Sequence, residues 1–310
     1  MRKSTTKSSD RSTWSSPNPT EPIIISRVPV YAPVSRPATT GKIIVGGKIE
    51  TPWGWVEVSG PTLTWEHRRI LLLAKIKARE EKGWEDGSHS LWIDAYKIKK
   101  ELGYTNGGED HRRFIQRLRD MKTANLKIYN NKTKRLTESS VVWAFSYDSE
   151  KTNIREKLGI FTTTRRPKGE KEGEVLGLSL YEIRISKEYM SLFAEDLRIH
   201  HAPDLARDLV QIKDGAIASI VFFFLSQKDA CRYNIRQILE IVGAIKTGMS
   251  KGRISQIIKK VKLNKELERF GIHVETECLS YSRNTRVFFT KPPSKTSPKL
   301  ALEVTLEGKV

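Results

Sequence analysis

The sequence predicts an α+β protein, two tandem winged-helix domains related by an internal repeat and preceded by a disordered N-terminal arm. Three observations carry that prediction. An order of helix, helix, helix, hairpin is complete by about Asp148 and starts again in the second half. Sliding the chain by 140 residues against itself brings the apolar positions of the two halves into phase. Residues 1–40 hold six of the thirteen prolines with many Ser and Thr, a composition that cannot build a core. The limits that follow are a disordered basic arm over 1–40, winged-helix domains over 41–165 and 166–290, and a tail over 291–310.

Each element has a local cause. KIIVGGKIETPWGWVEVSG, residues 42–60, reads as two short strands joined near Thr51 and Pro52. Thr64 is placed to cap a central helix whose apolar positions Ile70, Leu71, Leu73, Ala74 and Ile76 cover a broad face. Asp94 caps the next helix, Gly103 ends it, and the turn-prone YTNGGED leads into HRRFIQRLRDMKTANLKI, residues 111–128. Residues 124–149 read as two strands around the basic tip NNKTKR, and RRPKGEKEGE as an interdomain loop or long hairpin tip.

The second half opens with a strand and short helix over 175–193, followed by the apolar helix near 214–227. Asn234 with Gln237 starts NIRQILEIVG, which Gly243 ends. MSKGRISQIIKKVKLNKELERF reads as one basic helix, and residues 271–290 as a hairpin.

At the offset of 140, Ile98 falls on Ile238, Leu102 on Val242, Gly103 on Gly243, Arg113 on Arg253, Phe114 on Ile254, Gln116 on Gln256, Leu118 on Ile258 and Met121 on Val261. On a wheel of about 100° per residue, Phe114, Leu118 and Met121 share a face while Arg112, Arg113, Gln116 and Arg119 point away. In the second copy Ile254, Ile258 and Val261 cluster, and Arg253, Gln256, Lys259 and Lys260 point away.

A basic helical face is usually only a solvated one. Here the faces have few acidic partners, each follows a short connector, and the arrangement occurs twice. Guanidinium and amide groups suit guanine and adenine edges, and lysines hold phosphates, so the pattern points to sequence-specific duplex DNA. Lys132, Lys134 and Arg135 in the first hairpin tip, Lys251 at the start of the second basic helix and Arg283 in the second tip complete the predicted contacts.

Composition agrees with a polyanionic partner: the formal charge is +19 and the pI about 9.8. Cys231 and Cys278 lack the spacing of a disulfide framework or zinc site, which fits a reducing cytoplasm. The opening residues lack the apolar core of a signal peptide, and the richest apolar run, Ala216–Leu225, is half a membrane span, so no membrane is expected.

No catalytic chemistry is expected. There is no phosphate-binding Gly-Lys-Ser/Thr loop, His200 and His201 do not make a metal site for a nuclease, and Tyr233 and Tyr281 lack the setting of a recombinase nucleophile. Neither cofactor nor metal is implied. Six of the seven tryptophans lie between Trp53 and Trp143, where packing is the favoured use and stacking on unpaired bases the alternative; Trp14 in the arm suits a partner protein.

Taken together, TLTWEHRRILLLAKI, the block from LWIDAYKIKKELGY to ANLKI, SLYEIRISKEYMSLF, IASIVFFFLSQ and YNIRQILEIVGAIKTGMSKGRISQIIKKV resemble the plasmid replication initiator (Rep) proteins, especially the TrfA-like branch, over about residues 50–290. The resemblance implies two winged helices that bind directly repeated origin sites (iterons), promote opening of the neighbouring duplex and recruit a host initiator, helicase or helicase loader. It also implies autorepression, a monomer to homodimer balance that sets plasmid copy number, and a bacterial cytoplasmic location. The second winged helix then supplies the stronger contacts. The arm and the extra LNKELERFG depart from a compact family member. A two-headed transcriptional repressor using the same helices stays open, since genomic context, not sequence, separates the two.

Overall fold

A computed structural model of the chain describes residues 20–34, 47–105, 108–147, 180–195, 198–200, 203–227, 231–246, 248–277 and 286–291. The expectations placed on 1–19, 35–40, 165–174, Arg283 and 292–310 lie outside them.

In the first half, β2 (Ile49–Thr51) and β3 (Gly54–Ser59) turn at Pro52 and Trp53. Helix α2 (Trp65–Lys77) starts at Thr64, whose backbone N–H donates to Nδ1 of His67 at 2.9 Å. Strands β4 (Glu80–Gly83) and β5 (His89–Asp94) follow, and Asp94 accepts from the N–H groups of Tyr96 and Lys97 to cap α3 (Ala95–Glu101). Gly103, at φ 75°, ends that turn, and α4 (Gly108–Thr123) comes next.

After α4 the chain departs from the expected single hairpin. Strand β6 (Asn125–Asn130) pairs with β7 (Arg135–Ser139), and these join β3 and β2 in an antiparallel sheet of order β2-β3-β6-β7. Strand β8 (Val142–Tyr147) leaves for a second sheet, β4-β5-β9-β8, where β9 (Leu180–Ile185) lies between it and β5. The cause is apolar: Val141 and Val142 are fully buried, and Tyr181, Ile183 and Ile185 alternate inward opposite Ile93, Leu91 and His89. Strand β9, arriving from beyond residue 179, therefore joins the sheet of β4, β5 and β8.

The second half contains α5 (Lys187–Glu195), β10 (Arg198–His200), α6 (Pro203–Gln211) and α7 (Gly215–Leu225). Then come β11 (Cys231–Asn234), α8 (Ile235–Ile241), α9 (Lys251–Lys262), α10 (Glu266–Arg269), β12 (His273–Glu277) and β13 (Arg286–Lys291). The sheet order is β11-β13-β12. Both α3 and α8 have seven residues, and Gly243 ends α8 at φ 74° as Gly103 ends α3 at 75°.

Residues 20–34, assigned above to the flexible arm, are instead a strap across both halves. Strand β1 (Thr20–Pro22) pairs with β10, and α1 (Ile23–Arg27) buries Ile23, Ile24 and Ile25. Arg68 of α2 donates to Glu21 at 2.7 Å and to Ser26 at 2.8 Å, while Arg27 donates to the carbonyl of Ser226 at 2.7 Å. Gly215 lets α7 approach Val34 so closely that an added Cβ would sit 2.8 Å from its backbone. Arm-wide composition conceals this, because the apolar run Ile23 to Tyr31 is short and surrounded by polar sequence. One continuous core results, with Trp65 donating to the carbonyl of Ile212 at 2.7 Å and lying 5.6 Å from Phe222.

Candidate nucleic-acid interface

Helix α4 is oriented by charge as well as by packing. Phe114, Leu118 and Met121 are buried as the wheel requires, with Ile115 beside them. Arg112, Gln116 and Arg119 are exposed. Arg113 is not on that outward face: its guanidinium pairs with the buried Glu66 of α2 and lies 4.7 Å from the Tyr104 ring. Arg117, which the wheel passed over, donates to Glu66 at 2.7 Å and to Asp120 at 3.1 Å. Gln116 donates along the helix to Asp120 at 2.9 Å.

His67 completes the contact between α2 and α4. Because its Nδ1 accepts the Thr64 N–H, its proton sits on Nε2, which donates to Asp120 at 3.2 Å. Burial, the largest effect, holds His67 below its ordinary pKa against the pull of Asp120. Burial alone would raise Glu66, but hydrogen bonds from Tyr104 and Arg117 and the charges of Arg117 and Arg113 hold it below the usual carboxylate range. Asp120 is lowered in the same way, burial being overcome by His67, Gln116 and Arg117.

Helix α9 differs in electrostatics. Ser250 caps it, accepting from the Arg253 N–H at 3.4 Å, and no acidic residue occurs on it. Lys251, Arg253, Gln256, Lys259 and Lys262 are exposed, as is Lys260, which also pairs with Asp214 at the start of α7. The inward side is Val261 with half-buried Ile254, Ile257 and Ile258. Helix α4 by contrast has Glu109 and Asp110 in its first turn, where negative charge satisfies the helix dipole internally. The single long helix expected over 249–270 is broken: Leu263 ends α9, and Asn264 accepts from the Glu266 N–H at 2.7 Å to begin α10.

The turn between β6 and β7 presents Lys132, Lys134 and Arg135 to solvent. Asn130 Oδ1 accepts from the Lys132 and Thr133 N–H groups, and Lys134 adopts φ 58° to close the turn. Tryptophans divide between uses: Trp65 is buried, Trp84 and Trp143 sandwich Arg184 at 4.7 and 4.6 Å, and Trp55 stacks on Tyr129. Among the described residues no group of His, Cys, Asp and Glu could hold a metal ion, and no helix is long and apolar enough to cross a membrane.

No protein-family model and no curated protein matches the chain. Among solved structures, a selenomethionine derivative of domains 2 and 3 of RctB aligns with TM-score 0.54 at 9% identity, over 88% of this chain and 98% of that one. Another structure of RctB domains 2–3 gives 0.46 at 10% identity, covering 87% and 96%. The Pi initiator protein in complex with iteron DNA gives 0.45 at 10%, covering 74% and 90%. The mixed helix and sheet fold of this chain is that of RctB domains 2 and 3.

Proposed function

We propose that this chain is a plasmid replication initiator of the TrfA-like kind, binding directly repeated origin sites in double-stranded DNA through two winged-helix domains. The carrying observation is α9: a capped, twelve-residue helix with no acidic residue that exposes Arg253 and Gln256 beside Lys251, Lys259 and Lys260. Arg and Gln read guanine and adenine edges in the major groove, and lysines anchor phosphates. Helix α4 is the auxiliary reader through Arg112, Gln116 and Arg119, with Lys132, Lys134 and Arg135 of the β6–β7 turn on phosphates. The equal lengths of α3 and α8 and their paired glycine ends support descent of the two halves from one repeat. No catalytic step is assigned. Opening the duplex next to the repeats, recruiting a host initiator, helicase or loader, and repressing its own gene from a bacterial cytoplasm complete the reading.

Footprinting the purified chain on its own upstream DNA tests it. Protection of repeats about 20 base pairs long with permanganate-sensitive DNA beside them is the expected result. Protection without opening leaves a repressor. On the protected site, Arg253→Ala costs about 1–3 kcal/mol and relaxes base preference, whereas Lys259→Ala weakens all sequences alike. Unchanged site binding by Arg253→Ala would remove α9 as the reader.

A further inference from the structure

We propose that the groove beside strand β7 takes residues 300–306 of the chain's own tail as an added strand. The sheet β2-β3-β6-β7 ends at β7, and a sheet edge offers N–H and C=O groups with which a further extended segment can pair. Helix α5 runs alongside: the hydroxyl of Ser186, just before it, lies 2.6 Å from that of Ser139 in β7. Between the two a groove of about 440 Å³ opens, lined by Leu136 and Thr137 of β7, Lys187 and Met190 of α5, and Gly87 of the β4–β5 turn. Leu136 is 50% exposed and Met190 half-buried, so each wall contributes apolar surface that water still reaches. The lining also holds Arg135 and Lys187 against Asp86, Glu138 and Glu188, so neither sign of charge selects the occupant. Apolar fit and strand pairing do.

The sequence beyond β13 has both properties. Leu300, Leu302, Val304 and Leu306 alternate with Ala301, Glu303, Thr305 and Glu307, the pattern of a strand with one apolar and one polar face. The chain also reaches Lys291, the end of β13, close to the start of β7. Phe289 stands opposite Tyr233, whose ring is 5.4 Å from Phe223, and Phe223 lies 5.3 Å from Trp53. The Trp53 carbonyl in turn accepts from the N–H of Asn131, in the β6–β7 turn, at 2.9 Å. From Lys291 the connector PPSKTSPK, residues 292–299, holds three prolines. A proline-rich connector extends ~3.1 Å per residue, about 25 Å in all, a span of the order needed to carry Leu300 from that junction to the groove.

The inference does not depend on duplex recognition, and its test contains no DNA. Hydrogen exchange of the full chain is read at single residues. In the wild-type chain the β7 amides that point away from β6, and those of 300–306, are protected. The protection is unchanged on about tenfold dilution, because the docking is intramolecular. Leu302→Asp with Val304→Asp, on the apolar face of the tail, speeds both sets about tenfold or more. Ala301→Asp with Thr305→Asp, on the other face, leaves both slow. Leu136→Asp, at an exposed position of the groove, frees 300–306 while β5 and β9 stay protected, which separates undocking from unfolding. Tail amides that exchange as an open chain in the wild type, or equal effects of the two double variants, overturn the proposal. So does protection that falls on dilution, the sign of a second copy pairing at β7. Exchange of β7 unmoved by Leu302→Asp with Val304→Asp overturns it too, and gives the groove to another occupant.

Discussion

Glu66 is 4% exposed and receives Tyr104, Arg113 and Arg117, three donors that otherwise have no reason to converge. Removing its charge leaves Arg113 without its carboxylate and Arg117 with Asp120 alone, and breaking such buried pairs costs about 3–5 kcal/mol. Glu66→Gln is therefore expected to lower the unfolding free energy from urea titration by an amount in that range, with a smaller loss from Arg113→Gln because Arg113 is the more exposed partner. Helical periodicity identified Phe114, Leu118 and Met121 because burial repeats every turn within one helix. Periodicity has no means of turning Arg113 inward, since the carboxylate responsible sits 47 residues earlier on another helix. Exposure of Arg253, Gln256 and Lys259 was legible for the converse reason: their helix has no acidic residue, and Ile254, Ile258 and Val261 set its inward side.

At the scale of elements, the two helix-turn-helix segments end their first helices on glycines in the left-handed region, which costs an L side chain about 1–2 kcal/mol. The two sites differ in room. A Cβ at Gly103 would meet nothing within 4 Å, whereas at Gly243 it would meet Cβ of Pro29 in the strap at 3.1 Å. Thermal unfolding of Gly103→Ala and Gly243→Ala is accordingly expected to show a loss of about 1 kcal/mol in the first and a larger loss in the second. Caps and turns were readable because they are local: Thr64, Asp94, Asn234 and the two glycines act on neighbours within a few residues. Strand partnership was not. Val142 to Tyr147 could pair with β6 on pattern alone, and only the arrival of Tyr181, Ile183 and Ile185 from beyond residue 179 decides otherwise.

For the molecule as a whole, acidity acts first through histidines. His67, His89 and His111 are all held below their ordinary pKa, chiefly by burial, and His111 is pushed down to about 4 by burial and then by the nearby Lys99 charge. Below about pH 6.5 the unfolded chain takes up protons that these folded sites refuse. Stability is thus full above that pH and falls from 6.5 toward 4, by an amount on the order of 2 kcal/mol for His111 after allowing for its partial exposure. Glu66 and Asp120, lowered as carboxylates, lose their contribution only at still lower pH. Urea midpoints at pH 7.5, 6 and 5 check this; a midpoint that does not move between 7.5 and 5 contradicts it. Order of elements was legible at this scale, and the links between the halves were not, because β9 returns to the sheet of β4 and β5 and residues 20–34 fasten both halves together.

That fastening has a consequence for biosynthesis. Ile23, Ile24 and Ile25 leave the ribosome early, yet Arg27 finds the Ser226 carbonyl only 199 residues later. At about 5–20 residues per second, the gap lasts ~10–40 s, during which the strap has α2 but not yet α7 to pack against. The strap can thus dock on α2 early, through Glu21 and Ser26 to Arg68, and fastens to the second half only once Ser226 is made.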